Sequence, residues 1–368
     1  MPNITSPRRT LSSAASRFRD FWSPPEPTGL ATSQPRIGRR AVVKGLLAGA
    51  ATTVIHLPLR ATGAPVTRFG EISDVHQDII PDATERIRSF AAAMTEARAD
   101  FVVELGDFCI PKETNLGFLG ARRAFTGPRH HVLGNHDMDG GFSREQAAAF
   151  YGMPGRHYTF DGGSFLGIVL DGNDPGGGAS GYARYISADQ CAWLDATLAA
   201  ARQPVIVFLH QPLDDAQGVE NGAEVRAILE KAERTRAGLV LATFAGHLHL
   251  DYLRMIGGLP YVQVNSAAYY WLGETGQSLD YFPAETHERY RNLRYVAGYK
   301  APLWALVEVD RAAGEIRITG RRTEWVGPSA VERAKMPPDR PNREYIRPAI
   351  TDRRLPLQTS RGRVELSE

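Results

Sequence analysis

From Pro65 onward the apolar residues fall into two alternating rhythms, short continuous runs and helical spacings. Ile87, Phe90 and Met94 recur at helical spacing behind Asp82 and Glu85, a capping-box pair, and predict a helix. Phe101-Val102-Val103 then predicts a buried strand. The capping signature returns at Ser143 with Gln146, Ser187 with Gln190 and Asn221 with Glu224, each opening a helix-like stretch. Between these, residues 131–133, 166–170, 205–209, 239–244 and 259–264 predict strands, and 303–309 with 315–319 predict a hairpin turning at Ala313-Gly314. Strands alternating with helices over residues 65–329 make this one α/β domain.

The ends of the chain read differently. After Trp325 the periodicity stops, and residues 330–368, rich in Pro and charge, read as a tail that wraps the surface or is partly disordered. Residues 1–38 mix Ser, Pro and Arg, and lead into Gly38-Arg39-Arg40-Ala41-Val42-Val43-Lys44 and the apolar run 45–55. Residues 1–64 resemble a basic leader with a twin-arginine export signal, with small residues at Ala61, Gly63 and Ala64 where a peptidase would cut. That resemblance implies a periplasmic or extracellular protein, with no stable membrane insertion once the signal is removed.

Charge sharpens this division. Of 43 Lys/Arg and 41 Asp/Glu, residues 1–64 hold 9 and 2, leaving 34 basic against 39 acidic residues in the body. A mildly acidic body argues against an electrostatic binder of nucleic acid or membrane. Cys109 and Cys191 are too few for a disulfide scaffold and read as separately buried thiols.

Five polar clusters stand at or just after the ends of predicted strands: Ser73-Asp74-Val75-His76, Leu105-Gly106-Asp107, Gly134-Asn135-His136-Asp137, Phe208-Leu209-His210 and Ala245-Gly246-His247-Leu248-His249. The carboxyl ends of strands in an open α/β sheet form one crevice, so distant clusters converge there. Any single cluster is weak: Gly106-Asp107 alone is more often a turn, and His210 alone more often a satisfied core histidine. Together they bury more polar groups than a crevice tolerates without a compensating cation, at roughly 1–3 kcal/mol for each one left unpaired. The set of oxygen and imidazole donors, without thiolate, suits Mn, Fe, Zn or Co. Seven donors exceed the needs of one tetrahedral ion and match two ions sharing a carboxylate.

The order D-x-H, G-D, G-N-H-D, H, G-H-x-H resembles the calcineurin-like metallophosphoesterase superfamily over roughly residues 66–320. The stretches Tyr158-Thr159-Phe160 and Ser187 to Leu194 are similar to its secreted cyclic-nucleotide phosphodiesterase and phosphatase branch. The resemblance implies a four-layer α/β/β/α sandwich of two mixed sheets with two ions, Fe, Mn or Zn, at the strand ends. It implies that Asp74, His76 and His249 hold one ion, that Asn135, His210 and His247 hold the other, and that Asp107 bridges them. It further implies that His136 gives a proton to the leaving oxygen, with Asp137 holding its ring, while hydroxide attacks phosphorus in line. Asp139, before Gly140-Gly141, reads as a turn residue. Cys109 stands where the purple acid phosphatase branch has its iron-binding tyrosine, which argues against a violet enzyme.

The expected partner is a small phosphorylated molecule rather than a nucleic-acid polymer. A phosphodiester such as a cyclic nucleotide comes first, a broad phosphomonoesterase second, and a non-catalytic binding module on the same fold is a remote third. Arg122, Arg123 and Arg156 are offered as partners for a second charged group, and the aromatic stretch 269–299 either as a stacking wall or as packing. His130 and His131 are expected towards the far end of their strand, and His157 and His287 have no ligand-like context. Gly176 to Gly181 matches G-x-G-x-x-G but lacks a following helix pattern, and reads as a loop.

Overall fold

The computed structural model describes residues 66–178 and 180–357. The leader and its twin-arginine motif lie outside the described residues. The described residues form fourteen strands: β1 (Thr67–Ile72), β2 (Phe101–Glu104), β3 (Arg129–His131), β4 (Tyr158–Asp161), β5 (Leu166–Val169), β6 (Val205–Leu209), β7 (Val240–Ala245), β8 (Tyr252–Ile256), β9 (Leu259–Gln263), β10 (Tyr269–Trp271), β11 (Val296–Gly298), β12 (Ala305–Asp310), β13 (Glu315–Thr319) and β14 (Arg353–Pro356). Two six-stranded sheets carry the body, in the orders β14-β13-β12-β1-β2-β3 and β4-β5-β6-β7-β9-β8, and β10 with β11 forms a separate ribbon.

The first sheet is parallel on one side and antiparallel on the other, and the second is parallel at its centre with antiparallel edges. β1, β2 and β3 run together, as do β5, β6, β7 and β9. Parallel strands covered on both faces read as unbroken apolar runs, and β6 shows why. Ile206 and Phe208 point into the core between the sheets with Phe69, Phe101 and Phe244, while Val205, Val207 and Leu209 point outward. The outward residues meet two helices, Ala188–Ala200 and Gly222–Thr235, through Leu194, Leu198, Val225 and Leu229. On the other sheet Ile72 and Val102 pack against Ile87, Phe90 and Met94 of the helix Ala83–Glu96. The expected four-layer α/β/β/α order is the order found.

Two expectations change. Residues 330–357 are not a loose tail: β14 pairs antiparallel with β13, and Ile350 and Leu355 enter the core between the sheets. A four-residue edge strand of Arg353-Arg354-Leu355-Pro356 carries one inward apolar side chain, too little alternation to register as a strand, and its proline is tolerated at an edge. The third strand is Arg129–His131 rather than 131–133, so His131 sits at its carboxyl end instead of far from the crevice. Of the capping signatures, Ser143 and Ser187 accept the N–H of Gln146 and Gln190 as expected. Asp82 instead holds Arg86 at 2.8 Å, and Asn221 instead accepts the N–H of Ile186.

Candidate metal centre

Six of the seven expected donors gather in two groups at the carboxyl ends of β1, β2, β6 and β7, and the seventh, Asn135, is buried in the turn after β3. Asp74, His76 and His249 present donor atoms within 4.8 Å of one another, and so do Asp107, His210 and His247. Asp107 Oδ2 lies 3.1 Å from His210 Nε2 and 3.7 Å from His76 Nε2, between the two groups. Asp74 Oδ1 lies 3.1 Å from His249 Nε2.

The backbone bends sharply to bring these side chains inward. Asp74, His76, Asp107, His247 and His249 all have φ between 51° and 75°, the left-handed region that non-glycine residues rarely enter. Such strain collects at functional sites and persists where the surroundings over-determine it. The Asp74 carboxylate accepts the N–H of His247 at 3.0 Å and the hydroxyl of Ser73. Two glycines give the two carboxylates room. A Cβ on Gly134 would overlap Asp107, and one on Gly246 would overlap Ser73 and Asp74.

Each imidazole is aimed by its far nitrogen. His210 Nδ1 meets the carbonyl of Leu105 at 2.6 Å, and His249 Nδ1 meets that of Tyr269 at 2.8 Å, which turns both Nε2 atoms towards the crevice. His76 Nε2, His210 Nε2 and both side-chain atoms of Asn135 are buried without a hydrogen-bond partner. Orphaned donors at one point, drawn from carboxylate, imidazole and amide, fit a metal centre.

Electrostatics point the same way. Burial alone would raise the Asp74 carboxyl, but His249 and His210 beside it hold it well below the usual range. Asp107 is likewise lowered, burial being outweighed by His210 and His136. Burial pushes His247 down to about 3 and lowers His76. Ionised carboxylates at Asp74 and Asp107 and neutral imidazoles at His76 and His247 are the forms that bind cations. His210 is raised to about 9, burial being outweighed by Asp107 and Asp74, so a cation there displaces a proton.

His136 sits at the rim, 30% exposed, and its Nδ1 is held at 2.8 Å by Asp139, not by Asp137. Residues 135–138 form a 3-10 turn, in which side chains three apart lie one above the other, so 136 faces 139. Asp137 points beneath the centre instead. It accepts the N–H groups of Asp107 at 3.1 Å, Phe108 at 2.9 Å and Gly134 at 2.8 Å, takes the hydroxyl of Tyr151 at 2.8 Å, and faces His131 Nε2 at 3.3 Å. The roles expected of the two aspartates are exchanged. Burial would lower the His136 imidazole, but Asp107 and Asp139 raise it to about 9.

Other expectations resolve by packing. Arg122 is buried in an ion pair with Glu104, and Arg156 is tied to Asp171 and Asp174, so neither is free for substrate. Cys109 and Cys191 are separate buried thiols. In the aromatic stretch Tyr269, Tyr270 and Tyr299 are buried, and only Trp271 is markedly exposed. Gly176, Gly177, Gly178, Ser180 and Gly181 lie in no helix or strand, and Tyr182 directly after them lies on His136 with ring centroids 4.7 Å apart. Nothing in their composition marks Tyr182, because the loop is aligned by tertiary contacts.

No curated protein matches the chain. Among solved structures it is similar to a dimetal phosphatase from Danio rerio at 16% identity, covering 71% of this chain and 99% of that one, with a TM-score of 0.49. It is similar also to a purple acid phosphatase from yellow lupin (Lupinus luteus) seeds at 12% identity, covering 70% of this chain and 52% of that one, TM-score 0.45. An archaeal phosphodiesterase is similar at 12% identity, covering 69% of this chain and 100% of that one, TM-score 0.34. The sequence profile of the calcineurin-like phosphoesterases matches residues 67–251, from the first residue of β1 to just past His249, and the chain belongs to that family.

Proposed function

We propose that this metal-dependent phosphoesterase hydrolyses a phosphodiester of a small molecule, such as a cyclic nucleotide, and that two cations occupy the centre. The observation that carries the reading is the meeting of two three-residue donor groups at Asp74 and Asp107, with His136 beside them. Asp74, His76 and His249 would hold one cation, Asn135, His210 and His247 the other, with Asp107 shared. When bound, such a pair supplies Lewis acidity to the phosphoryl oxygens and makes a water acidic enough to attack phosphorus near neutral pH.

The chain's own groups do the rest. Asp107 is aimed by the N–H of His136, which it accepts at 2.7 Å. Neutral Asn135 adds a donor without cancelling more positive charge. Asp139 holds Nδ1 of His136, which leaves Nε2 to deliver a proton to the leaving oxygen. A diester monoanion needs less positive charge than a monoester dianion, and the engagement of Arg122 and Arg156 with carboxylates favours the diester. The broad phosphomonoesterase remains the second reading.

A substrate panel on the Mn- or Zn-loaded chain, comparing bis-p-nitrophenyl phosphate with p-nitrophenyl phosphate, tests the reading. Faster monoester hydrolysis would favour the second. Asp107→Asn and His210→Ala should each lower metal content and hydrolysis of every ester together, and undiminished rates would remove the two-cation centre. The fit of residues 38–55 to a twin-arginine signal further supports export as a folded, metal-loaded protein. Replacing Arg39-Arg40 with lysines should strand the protein in the cytoplasm, as read by cell fractionation.

A further inference from the structure

Two exposed aromatic side chains end a run of rings that crosses the centre: Tyr182 at 43% and Trp271 at 44% exposure. Tyr182 meets His136 edge-on at 4.7 Å, His136 meets His76 at 5.4 Å, His76 meets Tyr269 at 5.1 Å, and Tyr269 meets Trp271 at 6.4 Å. The two ends are not equivalent. Tyr182 touches the proton donor itself, its hydroxyl 3.3 Å from Nδ1, whereas the buried ring of Tyr269 stands between Trp271 and the nearest donor. Gly181, at φ +92°, turns the chain directly before Tyr182 and lets the loop reach the rim.

A leaving oxygen that takes its proton from His136 must carry its organic group out past His136. The exposed ring at that point is Tyr182. We propose that Tyr182 is a specificity residue: it binds the leaving group and selects esters whose leaving alcohol bears a flat aromatic ring, a nucleobase or aryl group, by stacking. The inference rests on the phosphoesterase reading and on His136 as its acid. It differs from a role in holding His136, because Asp139 already holds Nδ1 at the shorter distance of 2.8 Å.

The test compares the 2-naphthylmethyl and cyclohexylmethyl esters of methyl phosphate, whose leaving alcohols are similarly basic but differ in flatness. For the Mn-loaded full chain, kcat/KM should favour the naphthylmethyl ester by roughly three- to tenfold, as ring stacking contributes. Tyr182→Ala and Tyr182→Leu should bring the ratio close to one, Tyr182→Phe should keep it, and 2-naphthylmethylphosphonate should bind the first two variants more weakly by the same factor. Equal slowing of both esters in Tyr182→Ala, with the ratio unchanged, would reduce Tyr182 to a support for His136 and overturn the inference alone. Collapse of the ratio in Trp271→Ala but not in Tyr182→Ala would also overturn it, placing selection on the other side. Hydrolysis of neither ester, nor of the nitrophenyl substrates, would overturn the phosphoesterase reading and the inference with it.

Discussion

At the scale of single residues, the exchange between Asp137 and Asp139 has the most direct consequence. Asp139→Asn should slow esters with poor leaving groups by about tenfold or more, as expected when a general acid loses its alignment, and should leave metal content unchanged. Asp137→Asn should instead loosen the turn beneath Asp107 and lower metal content, because three backbone N–H groups lose their carboxylate. Elemental analysis beside a leaving-group series distinguishes the two. The convergence of Asp74, His76, Asp107, His210, His247 and His249 was legible in the sequence, because each follows an apolar strand and the strand ends converge. The partner of His136 was not, because N-H-D-M-D is compatible with an α turn or a 3-10 turn, and only the latter stacks residue 139 on 136. Glu71, buried between the sheets with both oxygens unpartnered, was invisible for the same kind of reason: its inward direction follows from register. Burial raises its carboxyl well above the ordinary 4.5. The folded state therefore keeps a proton that the unfolded chain loses, and stability falls as pH rises above about 4.5. Glu71→Gln should raise the Tm at pH 8 and change it little at pH 4.

At the scale of elements, the chain beyond the family match buttresses the loop that carries His247 and His249. Asp251, two residues after His249, accepts the N–H of Thr351 at 3.1 Å, the hydroxyl of Thr351 at 2.5 Å and Arg353 Nη2 at 2.5 Å. Nearby, Asn265 donates to the carbonyls of Arg347 and Ala349. The segment leading into β14 thus clamps the loop that carries His247 and His249. Removing one partner of a buried ion pair costs about 3–5 kcal/mol, so Arg353→Met should lower the midpoint of urea unfolding markedly. If the midpoint is unmoved, the C-terminal segment is not a clamp. Central strands such as β6 were legible because five consecutive apolar residues leave no other reading. β14 and the ribbon of β10 and β11 were not, since short edge strands owe their conformation to a neighbour rather than to their own alternation.

At the scale of the whole molecule, the parallel pairing of β2 with β3 brings together charges that are remote in sequence. Glu104, at the end of β2, is buried with Arg122 and with His131 at 3.0 Å. Burial would raise its carboxyl, but Arg122 and His131 outweigh that and hold it below its ordinary value. Its contribution is therefore complete above the unfolded carboxylate range and is lost as pH falls through the lower folded value. Glu104→Gln should cost about 3–5 kcal/mol at pH 7 and distinctly less at pH 3, by denaturant titration at each pH.

The left-handed backbone at Asp74, His76, Asp107, His247 and His249 bears on why these residues are there at all. A side chain in that conformation costs about 1 kcal/mol relative to glycine, and at His247, whose side chain accepts no backbone N–H, folding alone would be served better by glycine. Replacing His247 by glycine should accordingly raise the Tm of the metal-free chain while destroying its catalysis. Strain gathered at five positions that also carry the two donor groups fits side chains placed there for their chemistry rather than for the shape of the chain.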